Sequence, residues 1–296
     1  VDARAVMSHR FTLDDAVAIV DADLQFDVLP GLVQRLKETA SGLGLGFGIK
    51  LTNTLVVHNH RKFFSDDIMY LSGPPLHVLA MSLLERVRAA LGPELPISFS
   101  AGIDAQNFAR AVACNLLPVT TCSDLLRPGG YGRLGPYLAN LEAEMERLGV
   151  RCPGDFVLRV EGQGESAALQ AVGELQTAMQ HAITTAGLEP ERHAPLVAEA
   201  QRFAATLGRR LVDAVRGSPF QDTRAAIGAV WRTRAESLRT LLRPGREAAD
   251  QEALYQRMVE LAGWRNVPLV VARTAADPRY RADKHAKPPR KIGSQL

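Results

Sequence analysis

Alternating and helically spaced apolar residues divide the first part of the chain into short strands and helices. Over residues 46–54 the sequence GFGIKLTNT alternates apolar residues with glycine and Lys50, which predicts a short strand that ends in a polar tip. An amphipathic helix is predicted before it, over residues 26–40, because apolar side chains fall there at helical spacing. A lysine in an apolar strand is costly to bury alone, so Lys50 either reaches solvent or has an anionic or polar partner.

The alternation of strand and helix continues to about residue 130. Strands are predicted at 55–57, 95–100 and 118–121, and helices at 74–91 and 105–113. Pro74 and Pro75 suit the first turn of a helix, and Ser72 suits the cap before it. This alternation is typical of parallel βαβ units, and it fits either an open doubly wound α/β sheet or a (β/α)₈ barrel.

From about residue 140 the composition changes, and Ala, Glu, Leu, Gln and Arg dominate. A loose connector is predicted at 149–164, followed by helices at about 166–186, 194–216, 220–242 and 247–263. The final stretch contains three prolines and six cations, which predicts an extended basic tail or linker. We therefore divide the chain into a partial barrel at 1–148, an α-helical region at 149–276 and a tail at 277–296.

Composition narrows the class of protein. A net charge of +3 over 296 residues is too small to favour nucleic-acid binding, and no apolar run reaches transmembrane length. The cysteines Cys114, Cys122 and Cys152 have irregular spacing, which predicts neither a disulfide framework nor a metal site and points to a reducing cytoplasm. The chain starts without methionine, so we expect it to begin inside a longer polypeptide.

Small residues lie at three strand ends of the predicted parallel βαβ units, the first of them after the apolar residues 69–71. They are Ser72-Gly73, Ser100-Ala101-Gly102 and Cys122-Ser123. Glycine lets the backbone approach an anion closely, and N–H groups at a helix start point toward it. Each group alone is a common turn sequence, but (β/α)₈ barrels often bind phosphate on loops at the ends of successive strands. The three together, downstream of Lys50, predict a phosphate site.

Four motifs in order carry a resemblance to a known family. They are FGIKLTNT at 47–54, MYLSG at 69–73, LPISFSAG at 95–102 and LLRPGGY at 125–131. Together they resemble the selenate reductase and glutamate synthase-related flavin oxidoreductases, and more distantly the FMN-binding barrels of dihydropyrimidine dehydrogenase and dihydroorotate dehydrogenase. The similarity covers roughly residues 20–148. Such barrels begin with several strands that this chain lacks, so the resemblance implies the C-terminal half of a (β/α)₈ FMN-binding TIM barrel followed by a mostly α-helical region.

The resemblance also implies site residues. Lys50 would reach the flavin ring near N1 and O2, where a cation stabilises the charge that builds up on reduction, and Asn53 would face the flavin or the substrate. The FMN phosphate would be held by Ser72, Gly73, Ala101, Gly102, Cys122 and Ser123. The family often has two glycines where this chain has Ala101-Gly102, and alanine there requires a negative φ. Relatives place the acid or base outside the matched segments, so no catalytic residue is assigned. Cys122 is expected to be a small packing residue, not a nucleophile.

The leading hypothesis is an FMN-dependent oxidoreductase module of a larger cytoplasmic enzyme. It would pass electrons between FMN and [4Fe-4S], FAD and NAD(P)H centres elsewhere, with the tail leading toward an iron–sulfur domain. Its expected partners are a small-molecule substrate and the remaining domains or subunits of the same enzyme, without nucleic acid or membrane. Two alternatives stay open: a phosphate-binding barrel aldolase or synthase in which Lys50 forms a Schiff base, and a non-catalytic docking module.

Overall fold

The computed structural model describes residues 26–59, 65–217, 222–233, 238 and 247–281. The strands in these ranges are β1 (Ile49–Leu51), β2 (Leu55–His58), β3 (Ile68–Leu71) and β4 (Ile97–Phe99). The α-helices are α1 (Leu29–Gly42), α2 (Pro74–Leu91), α3 (Phe108–Ala113), α4 (Gly135–Arg147), α5 (Pro153–Val160), α6 (Gly164–Thr185), α7 (Pro190–Arg216), α8 (Thr223–Arg232), α9 (Glu247–Ala276) and α10 (Pro278–Arg281), with a 3₁₀ helix at Gly130–Leu134.

The chain divides into two compact units. The first comprises residues 1–104, 118–133 and 270–296, and the second comprises residues 105–117 and 134–269. The domain boundaries drawn from composition stay a prediction. None of the helices in the described ranges is long and apolar enough to cross a membrane.

Parallel pairing in the first unit confirms the α/β alternation read from the sequence. Strands β1 and β4 run parallel with Lys50 opposite Ser98, and α2 lies between them in the chain. The predicted strand at 118–121 is reduced to one parallel bridge between Phe99 and Val119. Three successive chain segments therefore run side by side in the same direction, which brings their C-terminal ends to one edge.

A β-hairpin separates β1 from α2. Strands β2 and β3 pair antiparallel, with Leu55 opposite Leu71 and His58 opposite Ile68. The interpretation of Ser72-Gly73 as the end of one more parallel strand is therefore wrong, because this pair follows the second strand of the hairpin. Alternating apolar residues indicate that a segment is extended, but they do not indicate which strand it pairs with.

One face of the β1–β4 pair carries the core of this unit. The ring of Phe99 contacts the ring of His77 on α2 edge-on, at 5.8 Å between centroids. Leu51, Ile97 and Phe99 are all buried, as are most apolar residues of α2. Because side chains alternate across a strand, Lys50 and Ser98 lie on the face opposite to the one that packs on α2.

The second unit is built from helices around one apolar core. The ring of Phe203 on α7 meets Trp231 on α8 edge-on at 5.5 Å between centroids, and buried residues of α6 and α9 complete this core. Helices α6 and α7 confirm the predictions at 166–186 and 194–216. Helix α9 continues to Ala276, past the predicted end at 263, although it contains Pro268 and a proline removes one backbone hydrogen bond from a helix. Val267 and Val270, close to this proline, are buried, and their burial favours the continued helix.

Three other predictions for this half differ from the structure. The connector predicted at 149–164 contains α5, whose Phe156, Val157 and Leu158 are fully buried, so a packed helix stands where a loose segment was expected. Helix α8 begins at Thr223 and ends at Arg232, and residues 220–221, 234–237 and 239–242 of the predicted range 220–242 lie outside the described residues. Residues 278–281 are helical although the tail was predicted to be extended from 277, and residues 282–296 lie outside the described part.

Candidate functional site

Gly73 and Gly102 are in direct contact at the end of the parallel strands. A Cβ built on Gly102 would lie 2.1 Å from the carbonyl oxygen of Gly73 and 3.1 Å from the Cβ of His77. Both glycines have positive φ, +70° at Gly73 and +56° at Gly102, which L-residues with side chains rarely adopt. Glycine at 102 is therefore required by space as well as by conformation, and it is what lets the two loops meet.

His77, near the start of α2, forms hydrogen bonds with the loops that contain Gly73 and Gly102. Its Nδ1 lies 2.8 Å from the carbonyl oxygen of Ala101, and because a carbonyl only accepts, Nδ1 is the donor. Its backbone N–H donates to the carbonyl of Gly73 at 3.2 Å. The imidazole is only 1% exposed. Sequence reasoning missed His77, although a histidine on the buried face of a helix, four residues after a glycine, was a visible signal.

The third loop is tied to the second. The hydroxyl of Thr121 donates to the carbonyl of Ile103 at 2.9 Å, and the backbone N–H of Thr120 donates to Phe99 at 2.8 Å. Cys122 is exposed and Ser123 is half-buried just beyond these contacts. All three loops are therefore connected: the first contacts the second at Gly73 and Gly102, and the third is hydrogen-bonded to the second through Thr121 and Ile103.

A buried carboxylate fixes the turn that follows Cys122-Ser123. Asp124 is 5% exposed and accepts two hydrogen bonds from the guanidinium of Arg133, at 3.0 and 2.8 Å, while Arg127 lies 3.4 Å away. Two cations therefore face this carboxylate. This cluster was not predicted from the sequence, where residues 125–131 entered only as a motif of the family resemblance.

The start of α2 offers fewer backbone donors than the sequence suggested. Four N–H groups at a helix start lack an intrahelical acceptor, but Pro74 and Pro75 have no N–H, which leaves those of Gly73 and Leu76. The φ of Ala101 is negative, as an alanine at this position of the motif requires. Among the described residues other than glycine, Asn115 alone has a positive φ. The N–H groups of Gly73 and Leu76 are therefore the backbone donors that the start of α2 offers.

The polar tip of β1 lies next to the second loop. The backbone N–H of Ser100 donates to the carbonyl of Leu51 at 2.6 Å, which brings residues 52–54 beside Ala101. Lys50 and Asn53 are both exposed. Within the described ranges, no three residues of the His, Cys, Asp and Glu types are grouped as metal ligands would be.

This arrangement defines an α/β domain whose loops meet at the C-terminal edge of parallel strands. The chain belongs to the family described as the N-terminal TIM-barrel domain of oxidoreductase YgfK, whose family model matches residues 10–178. It is 35% identical over 122 residues to "Putative oxidoreductase YgfK" of Escherichia coli strain K12, and equally to that of Escherichia coli O157:H7. These alignments cover 41% of this chain but only 12% of each relative. No solved structure matches the chain.

Proposed function

We propose that this chain is an FMN-binding module of an oxidoreductase. The single observation that carries the proposal is the contact between Gly73 and Gly102 at the C-terminal edge of β1 and β4. There the two loops touch, and a side chain at 102 would collide with the carbonyl oxygen of Gly73. The family membership supports redox chemistry, and the resemblance of the motifs to FMN-binding barrels supports FMN as the cofactor.

In this proposal the glycine loops hold the FMN phosphate. Gly73 and Leu76 would donate their backbone N–H groups to phosphate oxygens, Gly102 would allow the two loops to meet, and Ser72 and Ser123 would add hydroxyl donors. Ala101 and Cys122 would border the phosphate with their backbone. Arg127 and Arg133 flank the buried carboxylate of Asp124 in the neighbouring turn, and guanidinium groups there would favour a dianionic phosphate.

Lys50 would stand beside the flavin ring. It lies on the face of the β1–β4 pair opposite to α2, where an apolar core does not cover it, and Asn53 follows at the strand tip. When bound, FMN supplies the reversible uptake of electrons, and the positive charge of Lys50 would stabilise the reduced form. A lysine that forms a Schiff base is usually activated by desolvation in an apolar pocket, and the exposure of Lys50 supports the flavin role over the aldolase alternative.

The module belongs, in our proposal, to a larger cytoplasmic enzyme. The alignments cover 12% of the relatives' length, which leaves room there for further centres. We propose that electrons pass between FMN and [4Fe-4S], FAD and NAD(P)H groups outside this segment, and that the strands here form the C-terminal half of a barrel. A small molecule would be the substrate.

Replacing Lys50 tests its role beside the flavin. In the protein reconstituted with FMN, Lys50→Met should lower the flavin reduction potential by tens of millivolts, since a positive charge near the ring is lost, with water screening part of it. Lys37→Met is the matched control, because Lys37 is exposed on the surface of α1. An unchanged potential in Lys50→Met contradicts the role of Lys50, and covalent trapping of a carbonyl compound on Lys50 by borohydride favours the Schiff-base alternative.

A further inference from the structure

The residues that follow α9 contact the proposed phosphate loops from the outside. We call Asp277–Tyr280 the clasp. The ring of Tyr280 stacks on the imidazole of His77, with 5.5 Å between centroids and 24° between planes. Phe99 contacts the same imidazole edge-on, so His77 lies between two aromatic rings. Because Nδ1 of His77 holds the carbonyl of Ala101, Tyr280 supports the second loop through His77.

Arg279 gives the clasp a second attachment on the same loop. Its guanidinium lies 3.3 and 3.4 Å from the two carboxylate oxygens of Asp104. It also donates to Asp277 at 3.1 to 3.3 Å, and the backbone N–H of Arg279 donates to Asp277 at 3.0 Å. Burial acts to lower the pKa of Arg279, but the hydrogen bond to Asp277 and the charge of Asp104 outweigh it and raise the pKa, so the cation is maintained.

These two attachments bracket Gly102. Ala101 is held through His77 on one side and Asp104 through Arg279 on the other, while Ile103 between them accepts from Thr121. The chain segment from 101 to 104 is therefore fixed by the clasp, by α2 and by the third loop. Of these supports, the clasp alone comes from a distant part of the sequence.

We propose that Tyr280 and Arg279 are positioning residues that hold residues 101–104 in the conformation in which Gly102 meets Gly73, and that FMN phosphate affinity depends on them. This inference rests on the proposed function for its ligand. Its structural half, the support of the loop by the clasp, is independent of any ligand. The clasp would then stabilise the contact between the loops at Gly73 and Gly102, although it lies far from both loops in the sequence.

The structural half is tested by amide hydrogen exchange without flavin. In Tyr280→Ala, the amides of residues 101–104 should exchange about tenfold faster, the size expected for loss of one aromatic contact. Tyr280→Phe, which keeps the ring and loses the long hydrogen bond that Arg279 donates to the hydroxyl at 3.5 Å, should exchange within about twofold of the wild-type rate. Arg279→Gln provides a second variant with an intact Tyr280 and should also exchange faster. Amides of α6, in the other compact unit, serve as the internal control. Unchanged exchange at 101–104 in both Tyr280→Ala and Arg279→Gln overturns the inference.

The ligand half is tested by titration of FMN and riboflavin, which differ by the phosphate. We expect Tyr280→Ala to weaken FMN binding about tenfold and riboflavin binding by less than twofold, with Tyr280→Phe restoring FMN affinity. Wild-type FMN affinity in Tyr280→Ala overturns the positioning role. If the wild-type protein binds no FMN, the proposed function fails, and the exchange experiment still decides whether the clasp supports the loop.

Discussion

Replacing Gly102 with alanine is the sharpest perturbation of the site. The new Cβ would lie 2.1 Å from the oxygen and 2.6 Å from the carbonyl carbon of Gly73. These are backbone atoms, so neither loop can yield by a simple side-chain rotation. The φ of +56° adds a conformational penalty for any L-residue with a side chain. The two loops must separate, and the hydrogen bond from His77 to Ala101 is strained with them.

Alanine substitutions at two other glycines separate the steric effect of a new Cβ from the conformational penalty of a positive φ. Gly73 has a φ of +70° and a ψ of −149°, a combination nearly confined to glycine, with nothing within 4 Å of a new Cβ, so Gly73→Ala carries the conformational penalty alone, about 2 kcal/mol. Gly46 has open space and no positive φ, so Gly46→Ala should change the free energy of unfolding by less than about 0.5 kcal/mol. Gly102→Ala adds overpacking of about 1–3 kcal/mol to the conformational penalty, which gives about 3 kcal/mol in total.

The assay must report on the first unit. Both tryptophans, Trp231 and Trp264, lie in the second unit, so their fluorescence follows that unit and serves as a control that should not change. Amide exchange of β4 and α2 gives the free energy of opening of the first unit. We expect protection there to fall more than 100-fold in Gly102→Ala and about 30-fold in Gly73→Ala. Equal protection in these two variants would refute the close approach of the two loops.

Two further predictions concern the second unit and are measured by tryptophan fluorescence during chemical denaturation. Gly154→Ala should destabilise the second unit by about 2 kcal/mol, because the new Cβ would lie 2.2 Å from the hydroxyl of the buried Tyr255. Gly173→Ala is the control, and it should be neutral or slightly stabilising because the space around Gly173 is open. Equal effects of the two substitutions would contradict this packing. The hydrogen bonds from Arg224 lower the pKa of Glu252 from 4.5 to about 2, so its stabilisation is complete above about pH 4.5 and is lost as pH falls toward 2. Glu252→Gln should therefore cost about 0.5 kcal/mol at pH 7, because the pair is largely exposed, and nothing at pH 2; a cost that persists at pH 2 would contradict the ion pair as its cause.

Local patterns predicted most of the elements in this chain. The helical spacing before Gly42 and after Pro74, and the long amphipathic segments of α6 and α7, were sufficient to define these helices. Helix α5 was missed because it is short and starts with Pro153-Gly154, which also suits a loop. Its helical form depends on burial in the second unit, and burial is not visible in a local pattern.

The sequence indicated the three loops of the candidate site but not the contacts that join them. Small residues after each strand drew attention to these loops, but β3 pairs antiparallel in a hairpin, so the loop at Ser72-Gly73 does not follow a parallel strand as expected. The contact between Gly73 and Gly102, and the stacking of Tyr280 on His77, join residues far apart in the sequence. Such contacts arise from packing of whole elements, and no periodicity in the chain encodes them.

Loops at the strand ends hold the phosphate of FMN in the proposed function. Titration of the purified protein with FMN and with riboflavin in phosphate-free buffer, followed by flavin fluorescence, measures the contribution of the phosphate. We expect one FMN bound per chain, with an affinity at least about tenfold higher than that for riboflavin, since a charged phosphate gains hydrogen bonds from the loops. Equal affinity for FMN and riboflavin, or no binding of either, would contradict the proposed function.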